Sequence, residues 1–385
     1  MFKIKKKEEN SKLRLGEISL KHGVIKTPFF MPDATRAVLK NLSTADLDFV
    51  NLDAMVVNTY HLYLQPGTDL IKEAGGVNNF MNFQKPLLSD SGGFQVFSLI
   101  HRSREMGKIY DTHVEFKSPL DGSKHILTPE KSIQIQFDLG VDMMVCLDDC
   151  PPNEFSREDL EKSVERTVNW AERCKIEYDK QIKKRGIGEA KRPLLFSVIQ
   201  GGAELDLREK CARELIKIGF DGYGFGARPV DKDGNFLEEV LEFTADLIPE
   251  DTLRFALGIG TPDDIVRCAK MGWDMFDCVI PTREGRHGRL FKKVPNFQFP
   301  ISKEILNSKS EIKDKFYNTI NINNAKFIED FSPINKNSKI KELREYSLSY
   351  LHHLFKIKDP LGQKLASLNN LEFYMDLMQA LQEEN

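Results

Sequence analysis

The feature that most constrains the fold is a regular alternation of short apolar runs and amphipathic stretches through about residue 290. The runs are rich in β-branched residues and almost continuously apolar, which is typical of strands buried on both faces of a sheet. Because parallel strands need helical crossovers, this alternation predicts a parallel sheet. The predicted strands span residues 24–31, 54–60, 86–91, 141–147, 193–199, 222–227, 254–260 and 275–280.

About eight such strands favour an α/β fold, specifically a TIM (β/α)8 barrel. An open doubly wound sheet is the alternative, but no run is followed by the Gly-x-Gly-x-x-Gly phosphate turn of dinucleotide-binding sheets. Residues 301–340 are rich in Lys, Asn and Ser, and two helical patterns follow. We therefore predict a catalytic barrel domain over residues 1–300 and a small appended α+β subdomain over residues 301–385.

Composition excludes several other classes of protein. No stretch approaches 18 uncharged apolar residues, and the basic start of the chain lacks the apolar core of a secretory signal, so we expect no membrane association. Six cysteines among 385 residues form no disulfide framework and no Cys-x-x-Cys pair. These patterns together predict a cytoplasmic protein.

Charge is unevenly distributed along the chain. The net charge is −3, yet residues 283–345 contain 14 Lys and Arg against 8 Asp and Glu. A basic segment on an acidic body favours binding of a polyanion such as nucleic acid. A solvated surface rich in Lys and Asn is the alternative interpretation.

Acidic and amide residues stand at the ends of the predicted strands. Asp90 lies at the end of the third run, Asp148 follows the fourth and Gln200 the fifth, while Asp277 lies within the eighth. Barrel enzymes place their active sites at the carboxyl ends of the strands. Asp90 and Asp277 together suit chemistry at an anomeric carbon, with one carboxylate as nucleophile and one as acid/base. Alternatively, each aspartate caps a helix or pairs with an arginine.

A second group of residues has the donors and acceptors needed to bind a purine. Asp148 and Gln200 offer acceptors for a guanine-like N1–H and 2-amino group, and the backbone at residues 226–227 offers a donor to O6. Phe94 is placed to stack on the ring. The alternative is that Asp148 caps a helix and Gln200 fills a loop.

Three arginines lie within seven residues directly after Asp277, at positions 283, 286 and 289. Arginines beside an anomeric-carbon nucleophile fit a polynucleotide substrate, because they bind phosphates or the edges of bases. Solvated loop arginines are the alternative. Their position next to Asp277 favours the nucleic-acid interpretation.

Several segments resemble the bacterial tRNA-guanine transglycosylases, in order and over nearly the whole chain. They are Ser-Asp-Ser-Gly-Gly-Phe-Gln-Val-Phe-Ser at 89–98, Leu-Asp-Asp-Cys-Pro-Pro at 147–152, Val-Ile-Gln-Gly-Gly at 198–202, Met-Phe-Asp-Cys-Val-Ile-Pro-Thr-Arg at 275–283 and Tyr-Leu-His-His-Leu at 350–354. The resemblance implies a barrel with a small subdomain, a homodimer and no cofactor. It also implies exchange of guanine at the wobble position of the tRNAs for Asp, Asn, His and Tyr. The incoming base would be a 7-deazaguanine: the aminomethyl form, its nitrile precursor or queuine.

The resemblance also implies roles for individual residues. Asp277 matches the nucleophile that attacks ribose C1′, and Asp90 matches the general acid/base. Positions that match the base-binding set are Ser91, Gly92, Gly93, Phe94, Asp148, Gln200, Gly226, Ala227 and Leu257. Positions that match the tRNA-binding set are Gly258, Ile259, Gly260, Thr261, Pro262, Asp263, Asp264, Thr282, Arg283, Glu284, Gly285 and Arg286.

The chain departs from the family pattern at the zinc site. The family's three cysteines and one histidine align with Ser338, Ile340, Leu343 and Asn369, so all four ligands are replaced. We therefore predict no structural metal. We expect Ile340 and Leu343 to pack as a small apolar core instead.

A second departure lies in the base pocket, at Arg228, Pro229 and Lys232. The Arg228–Pro229 peptide has no N–H and can only accept a hydrogen bond, and Lys232 replaces an acidic residue of the family. These cations favour an incoming base without the cationic aminomethyl group. Two further possibilities stay open: a non-catalytic tRNA-binding paralogue, and a transglycosylase with a different base or nucleic-acid substrate.

Overall fold

The computed structural model describes residues 2–7, 11–294 and 316–383. Its strands are β1 Phe2–Lys7, β2 Arg14–Leu20, β3 Gly23–Thr27, β4 Phe29–Pro32, β5 Met55–Asn58, β6 Leu87–Asp90, β7 Gly107–Ile109, β8 Val114–Lys117, β9 Lys124–Leu127, β10 Met143–Val145, β11 Leu194–Ile199, β12 Gly222–Phe225, β13 Leu253–Ala256, β14 Met275–Cys278, β15 Arg289–Lys293 and β16 Tyr317–Asn321.

Helices connect these strands and form the C-terminal part of the chain. They are α1 Thr44–Asp48, α2 Thr59–Leu64, α3 Thr68–Glu73, α4 Val77–Met81, α5 Gly93–Arg102, α6 Pro129–Leu139, α7 Arg157–Arg185, α8 Leu205–Ile218, α9 Glu238–Leu247, α10 Pro262–Lys270, α11 Ile280–Arg286, α12 Lys341–Glu345, α13 Leu348–Lys356 and α14 Pro360–Gln382. Short 3₁₀ turns lie at Arg104–Met106, Glu189–Lys191 and Ala325–Phe327.

Eight parallel strands form the central sheet, in the order β4-β14-β13-β12-β11-β10-β6-β5. The two end strands meet, because Asp33 bridges to Val56 in parallel register and the Ala34 N–H donates to the Val56 carbonyl at 2.7 Å. This contact closes the sheet into a barrel, with the helices outside. The predicted (β/α)8 fold is confirmed.

The first predicted strand was wrong in one respect. The apolar run at 24–31 contains two strands, with Pro28 between them: β3 belongs to an antiparallel sheet with β1 and β2, and β4 belongs to the barrel. Each of the other seven runs contains one barrel strand. A second antiparallel sheet, formed by β7, β8 and β9, follows α5 and has no counterpart among the predicted strands.

Side chains alternate between two cores along the barrel strands. In β4, Phe29 and Met31 belong to the inner core, while Phe30 packs in the outer core beneath the helices. In β14 the inner residue is Met275 and the outer one is Phe276. Since the side-chain period of a strand is two, this parity also decides which residues face inward just beyond each strand end.

Helix α14 packs directly on the barrel. The Asn370 side chain donates to the carbonyls of Pro281 and Arg289, both at 2.9 Å, and accepts from the Phe291 N–H at 2.9 Å. Hairpin β15–β16 pairs residues on both sides of position 300. The predicted boundary itself falls outside the described residues, so the division at residue 300 stays a prediction.

The four positions that the family resemblance aligns with zinc ligands are all buried. Ile340 and Leu343 pack in the outer core. The Ser338 hydroxyl accepts from the Ile340 N–H at 2.9 Å, and the Asn369 side chain donates to the Phe291 carbonyl at 3.0 Å. Within the described ranges, no three His, Cys, Asp or Glu side chains are grouped so that they could hold a metal ion.

None of the helices in the described ranges is both long and apolar enough to cross a membrane. All six cysteines are free thiols, and five of them are buried. The cytoplasmic location stays a prediction.

Candidate active site

A ring of side chains surrounds the carboxyl end of the barrel. Each member lies two residues beyond an inner-core residue of its own strand, so strand parity turns it toward the barrel axis. The members are Asp33 after Met31, Asn58 after Val56, Asp90 after Leu88, Gln200 after Val198, Leu257 after Phe255 and Asp277 after Met275.

The structure brings the two predicted catalytic aspartates to this mouth. Asp277 Oδ1 accepts from the Gly258 N–H at 2.9 Å, and the Asn58 side chain donates to Asp90 Oδ2 at 3.3 Å. Neither aspartate forms an ion pair with a basic residue in the described part of the chain, and neither caps a helix. The alternative interpretation, in which each caps a helix or pairs with an arginine, therefore does not describe them.

Burial and mutual repulsion make both aspartates weak acids. Burial, opposed by the Gly258 N–H and assisted by the charge of Asp33, raises the pKa of Asp277 to about 7. Burial raises the pKa of Asp90 well above its ordinary value, and the charges of Asp277 and Asp33 add to the shift. Such a pair holds one proton near neutral pH. Because the pKa of Asp90 is raised well above its ordinary value, we assign that proton to Asp90.

Asp148 and Gln200 also meet at this mouth, after β10 and β11, on the side of the barrel that faces β4. The Gln200 side chain donates to Asp148 Oδ2 at 2.7 Å, and both residues are buried. Burial raises the pKa of Asp148 to about 7. Its neighbour Asp149 turns away and pairs with Arg166, so only the first aspartate of the pair is available to a ligand.

A buried arginine holds this side of the mouth together. Arg208 donates to the carbonyls of Gly202 at 2.8 Å, Ile199 at 3.2 Å and Gly226 at 2.8 Å. These contacts tie the end of β11 to the end of β12. A side chain at Gly226 would come within 2.4 Å of the Gln200 amide nitrogen, so glycine leaves the space that Gln200 fills.

The backbone after β12 is strained. Ala227 has φ of +124°, a conformation that residues with a Cβ rarely adopt. Its N–H contacts the Cys150 thiol, whose pKa burial raises to about 12. The Asn153 side chain donates to the carbonyls of Arg228 at 3.0 Å and Val230 at 2.9 Å, which fixes the segment that follows.

Residues 91–94 form the turn from β6 into α5. Gly92 has φ of +84°, and a Cβ there would lie 2.8 Å from the Tyr60 backbone nitrogen. The Ser91 hydroxyl accepts from the Gly93 N–H at 3.2 Å. Phe94 is 53% exposed, so its ring is free to stack on a ligand.

The segment at 258–264 has structural partners of its own. The Thr261 hydroxyl accepts from the Asp264 N–H at 3.2 Å and so caps α10, which has Pro262 at its first turn. Asp263 accepts from the Tyr317 hydroxyl at 2.9 Å. Ile259 is buried, and the Gly260 carbonyl accepts from the Tyr374 hydroxyl at 2.6 Å.

The predicted loop at 282–286 is the helix α11. Thr282 and Gly285 are buried against α14, where a Cβ at Gly285 would lie 2.8 Å from the Ser367 backbone. Arg283 is exposed, and Glu284 and Arg286 are half-buried. Any contact of this helix with RNA therefore depends on those three side chains.

Four residues that shape the mouth were missed from the sequence: Asp33, Asn58, Cys150 and Arg208. Asp33 follows the first apolar run and Asn58 lies near the end of the second, so the rule that identified Asp90 would also have found them. Cys150 lies in the segment after the fourth run. No sequence pattern indicated that Arg208 is buried, because an arginine in an amphipathic helix is usually exposed.

Fold and site together define a (β/α)8 barrel enzyme with a carboxylate pair and a separate polar pocket at one mouth. The family model for queuine tRNA-ribosyltransferase matches residues 9–384. The chain belongs to this family, which is a family of pentosyltransferases.

Individual relatives match over nearly their full length. A queuine tRNA-ribosyltransferase of Halothermothrix orenii is 39% identical over 380 residues, covering 99% of this chain and 92% of that protein. One of Desulforamulus reducens is 39% identical over 382 residues, covering 99% and 93%. One of Staphylococcus haemolyticus is 38% identical over 378 residues, covering 97% and 89%.

The strain at Ala227 leads to a stability prediction. In Ala227→Gly, relief of about 1–3 kcal/mol of backbone strain outweighs the added entropy of glycine in the unfolded chain, about 0.5–1 kcal/mol. We expect the free energy of unfolding to rise by about 1 kcal/mol, measured by urea denaturation. Ala203→Gly, in an exposed turn with no such strain, is the control and should lower stability slightly. A loss of stability in Ala227→Gly would contradict the strain.

Proposed function

We propose that this protein exchanges guanine at the wobble position of tRNAs for Asp, Asn, His and Tyr against a 7-deazaguanine, through a covalent aspartate–ribose intermediate. The coupled Asp90–Asp277 pair supports this proposal most directly. A polar pocket for the base lies beside that pair, at the same mouth.

In the first half-reaction, the Asp277 carboxylate attacks C1′ of the target nucleotide. The C1′–N9 bond breaks, its electron pair leaves with guanine, and a proton from Asp90 neutralises the departing base. The Gly258 N–H holds the attacking carboxylate by one oxygen. Because the pKa of Asp90 is raised well above its ordinary value, Asp90 holds the proton that it transfers, while Asp277, with a pKa of about 7, becomes ionised above about pH 7.

In the second half-reaction, the Asp90 carboxylate takes the N9 proton of the incoming base. The base nitrogen then attacks C1′, and the bond between C1′ and the Asp277 oxygen breaks. This restores the starting protonation of both aspartates. One carboxylate thus serves as acid and then as base, as retaining glycosyl transfer requires.

The base would bind between Asp148, Gln200 and the backbone at residues 226–227, with Phe94 stacked on it. Its N1–H and 2-amino group would donate to the Asp148 carboxylate and the Gln200 carbonyl oxygen. Displacing the hydrogen bond that the Gln200 amide donates would free Asp148 Oδ2 to accept from the base. The target nucleotide must leave the anticodon loop stack to reach this depth.

The RNA backbone would lie over α11 and the hairpin β15–β16. A cavity of about 500 Å³ opens between these elements and the start of α10, and Arg283 and Arg289 line it. Both arginines lie near Glu284, at 3.8 and 3.4 Å, but each keeps more than half of its side chain exposed. They therefore remain available to phosphates.

Exchange is tested with unmodified tRNA and each candidate base, followed by mass spectrometry of the digested nucleosides. We expect 7-deazaguanosine to replace guanosine at the wobble position. Asp277→Asn should lower the rate by at least a thousandfold, because the amide is not a nucleophile. The control, Asp53→Asn, alters an exposed carboxylate before β5 at the opposite end of the barrel and should retain full activity.

Three results would overturn the proposal. Exchange by Asp277→Asn at the wild-type rate would exclude the covalent role. Tight tRNA binding without exchange of any base would favour the non-catalytic paralogue. Exchange at another position, or only in DNA, would favour a different nucleic-acid substrate.

The rate should depend on pH through the aspartate pair. Asp277 must be ionised, so kcat/KM should fall as the pH drops below about 7, where it gains a proton. Asp90 must start protonated, so the rate should also fall at high pH, where it loses its proton. The result is a bell-shaped profile measured with guanine exchange. An acidic limb near pH 4, the ordinary range of aspartate, would contradict these shifts.

We also propose that the incoming base is the neutral nitrile rather than a base with a cationic amine, such as the aminomethyl form. Arg228 and Lys232 are both exposed on the same segment. Their charges disfavour a third cation nearby. With equal concentrations of the bases, we expect the nitrile to enter first. Lys232→Glu should move the preference toward the aminomethyl base, and a wild-type preference for that base would refute the idea.

We infer that this member lacks the family's structural zinc, because apolar packing of Ile340 and Leu343 occupies the region of its ligands. Elemental analysis of the purified protein should find less than a tenth of an equivalent of zinc, and a chelator should leave the unfolding midpoint unchanged. Stoichiometric zinc would contradict the inference. The homodimer implied by the family resemblance stays a prediction.

A further inference from the structure

Asp33 is a third carboxylate at the mouth that the exchange chemistry described above does not use. It follows β4, which lies in the barrel between β14 and β5. Its backbone N–H donates to the Cys278 carbonyl at 3.3 Å, and it bridges to Val56 on the other side. Asp33 therefore stands between the strand of Asp277 and the strand of Asn58, which contacts Asp90.

Two donors from Thr35 hold one oxygen of this carboxylate. Asp33 Oδ1 accepts from the Thr35 N–H at 2.9 Å and from the Thr35 hydroxyl at 2.7 Å. Within the described part of the chain, Oδ2 accepts no hydrogen bond. The residue is only half-buried, and strand parity turns it toward the barrel axis. One oxygen is thus fixed, and the other is open to a ligand in the mouth.

The order of the strands indicates which part of a nucleotide this oxygen would meet. The base-binding residues follow β10, β11 and β12, which form one arc of the ring. Asp277 marks the position of C1′. The sugar must therefore extend from C1′ away from that arc, over β4 and β5. The polar groups next to C1′ are the ring oxygen and the 2′-hydroxyl, and of these only the hydroxyl can donate a hydrogen bond to a carboxylate.

We propose that Asp33 is a specificity-determining residue that accepts a hydrogen bond from the 2′-hydroxyl of the target nucleotide. This inference rests on the proposed transglycosylase function and deepens it. The 2′-hydroxyl is the group by which a protein distinguishes RNA from DNA at a single nucleotide. Asp33 thereby makes the mouth selective for ribonucleotides, independently of the residues that bind the base.

The bond is charge-assisted, and it lies beside the reacting carbon. Hydrogen bonds to a charged group are about twice as strong as neutral ones. In glycosyl transfer, contacts to the hydroxyl next to the anomeric carbon strengthen in the transition state. Loss of the contact should therefore lower kcat/KM for a ribonucleotide and leave a 2′-deoxynucleotide unaffected.

The test compares two RNA stem-loops that differ only in a 2′-deoxy substitution at the target guanosine. For each protein variant, the ratio of kcat/KM for guanine exchange on the ribo and deoxy substrates is measured at the optimum of its own pH profile. This choice of pH matters, because removing the charge of Asp33 also lowers the pKa of Asp277 and Asp90.

We expect Asp33→Ala to lower the ribo-to-deoxy ratio by roughly tenfold to a hundredfold, through loss of rate on the ribo substrate alone. Asp33→Asn keeps a neutral acceptor and should give an intermediate ratio. Asp53→Ala, at the opposite end of the barrel, should leave the ratio at the wild-type value.

The outcomes separate this inference from the proposed function. If Asp33→Ala slows both substrates equally, the residue is structural or acts only on the aspartate pair, and the inference is wrong. An unchanged ratio at an unchanged rate excludes the contact as well. If the wild-type protein exchanges no base on the ribo substrate, the proposed function fails and this inference fails with it.

Discussion

Closure of eight parallel strands into one barrel is the constraint on which the rest of the molecule depends. The contact between the segment after β4 and strand β5, through the Ala34–Val56 hydrogen bond, completes the ring. Once the ring is closed, every strand must alternate its side chains between an inner core and an outer core. The inner core fills the barrel with apolar side chains, so the next inward position on each strand opens at the mouth.

That geometry also explains the electrostatics. Three carboxylates, Asp33, Asp90 and Asp277, are turned inward at one mouth of the barrel, and no basic side chain of the described residues pairs with them. In addition to burial, the charge of Asp33 raises the pKa of Asp90 and Asp277, and the charge of Asp277 raises that of Asp90. A shared proton follows from this arrangement, and the fold thereby provides both an acid and a nucleophile near neutral pH.

Most barrel strands and the main residues of the mouth could be predicted from the sequence, for a physical reason. Strands buried on both faces give continuous apolar runs, and the polar residues that follow them mark one end of the barrel. The runs therefore predicted seven of the barrel strands and brought Asp90, Asp148, Gln200 and Asp277 together. The prediction of a single strand from the first run was wrong, because an antiparallel strand and a barrel strand adjoin at Pro28 without a polar gap. Asp33 was overlooked at the end of that run.

Other features depend on tertiary packing and have no local signature. Arg208 resembles a surface residue of an amphipathic helix, yet its guanidinium is buried and bonded to three carbonyls. The φ of Ala227 runs against the preference of alanine and is imposed by the strand end and the pocket around it. Helix α11 was expected as a loop, because its packing partner α14 lies about 80 residues further along the chain.

In the reaction that we propose, Asp277, rather than another carboxylate of the ring, forms the bond to the sugar carbon. The direct measurement is to trap the intermediate with substrate RNA under denaturing conditions, digest the protein and the RNA, and map the ribose-modified peptide by mass spectrometry. We expect modification of Asp277 and no modification of Asp33 or Asp90. A modified peptide carrying Asp90 or Asp33, with Asp277 unmodified, would contradict the proposed reaction.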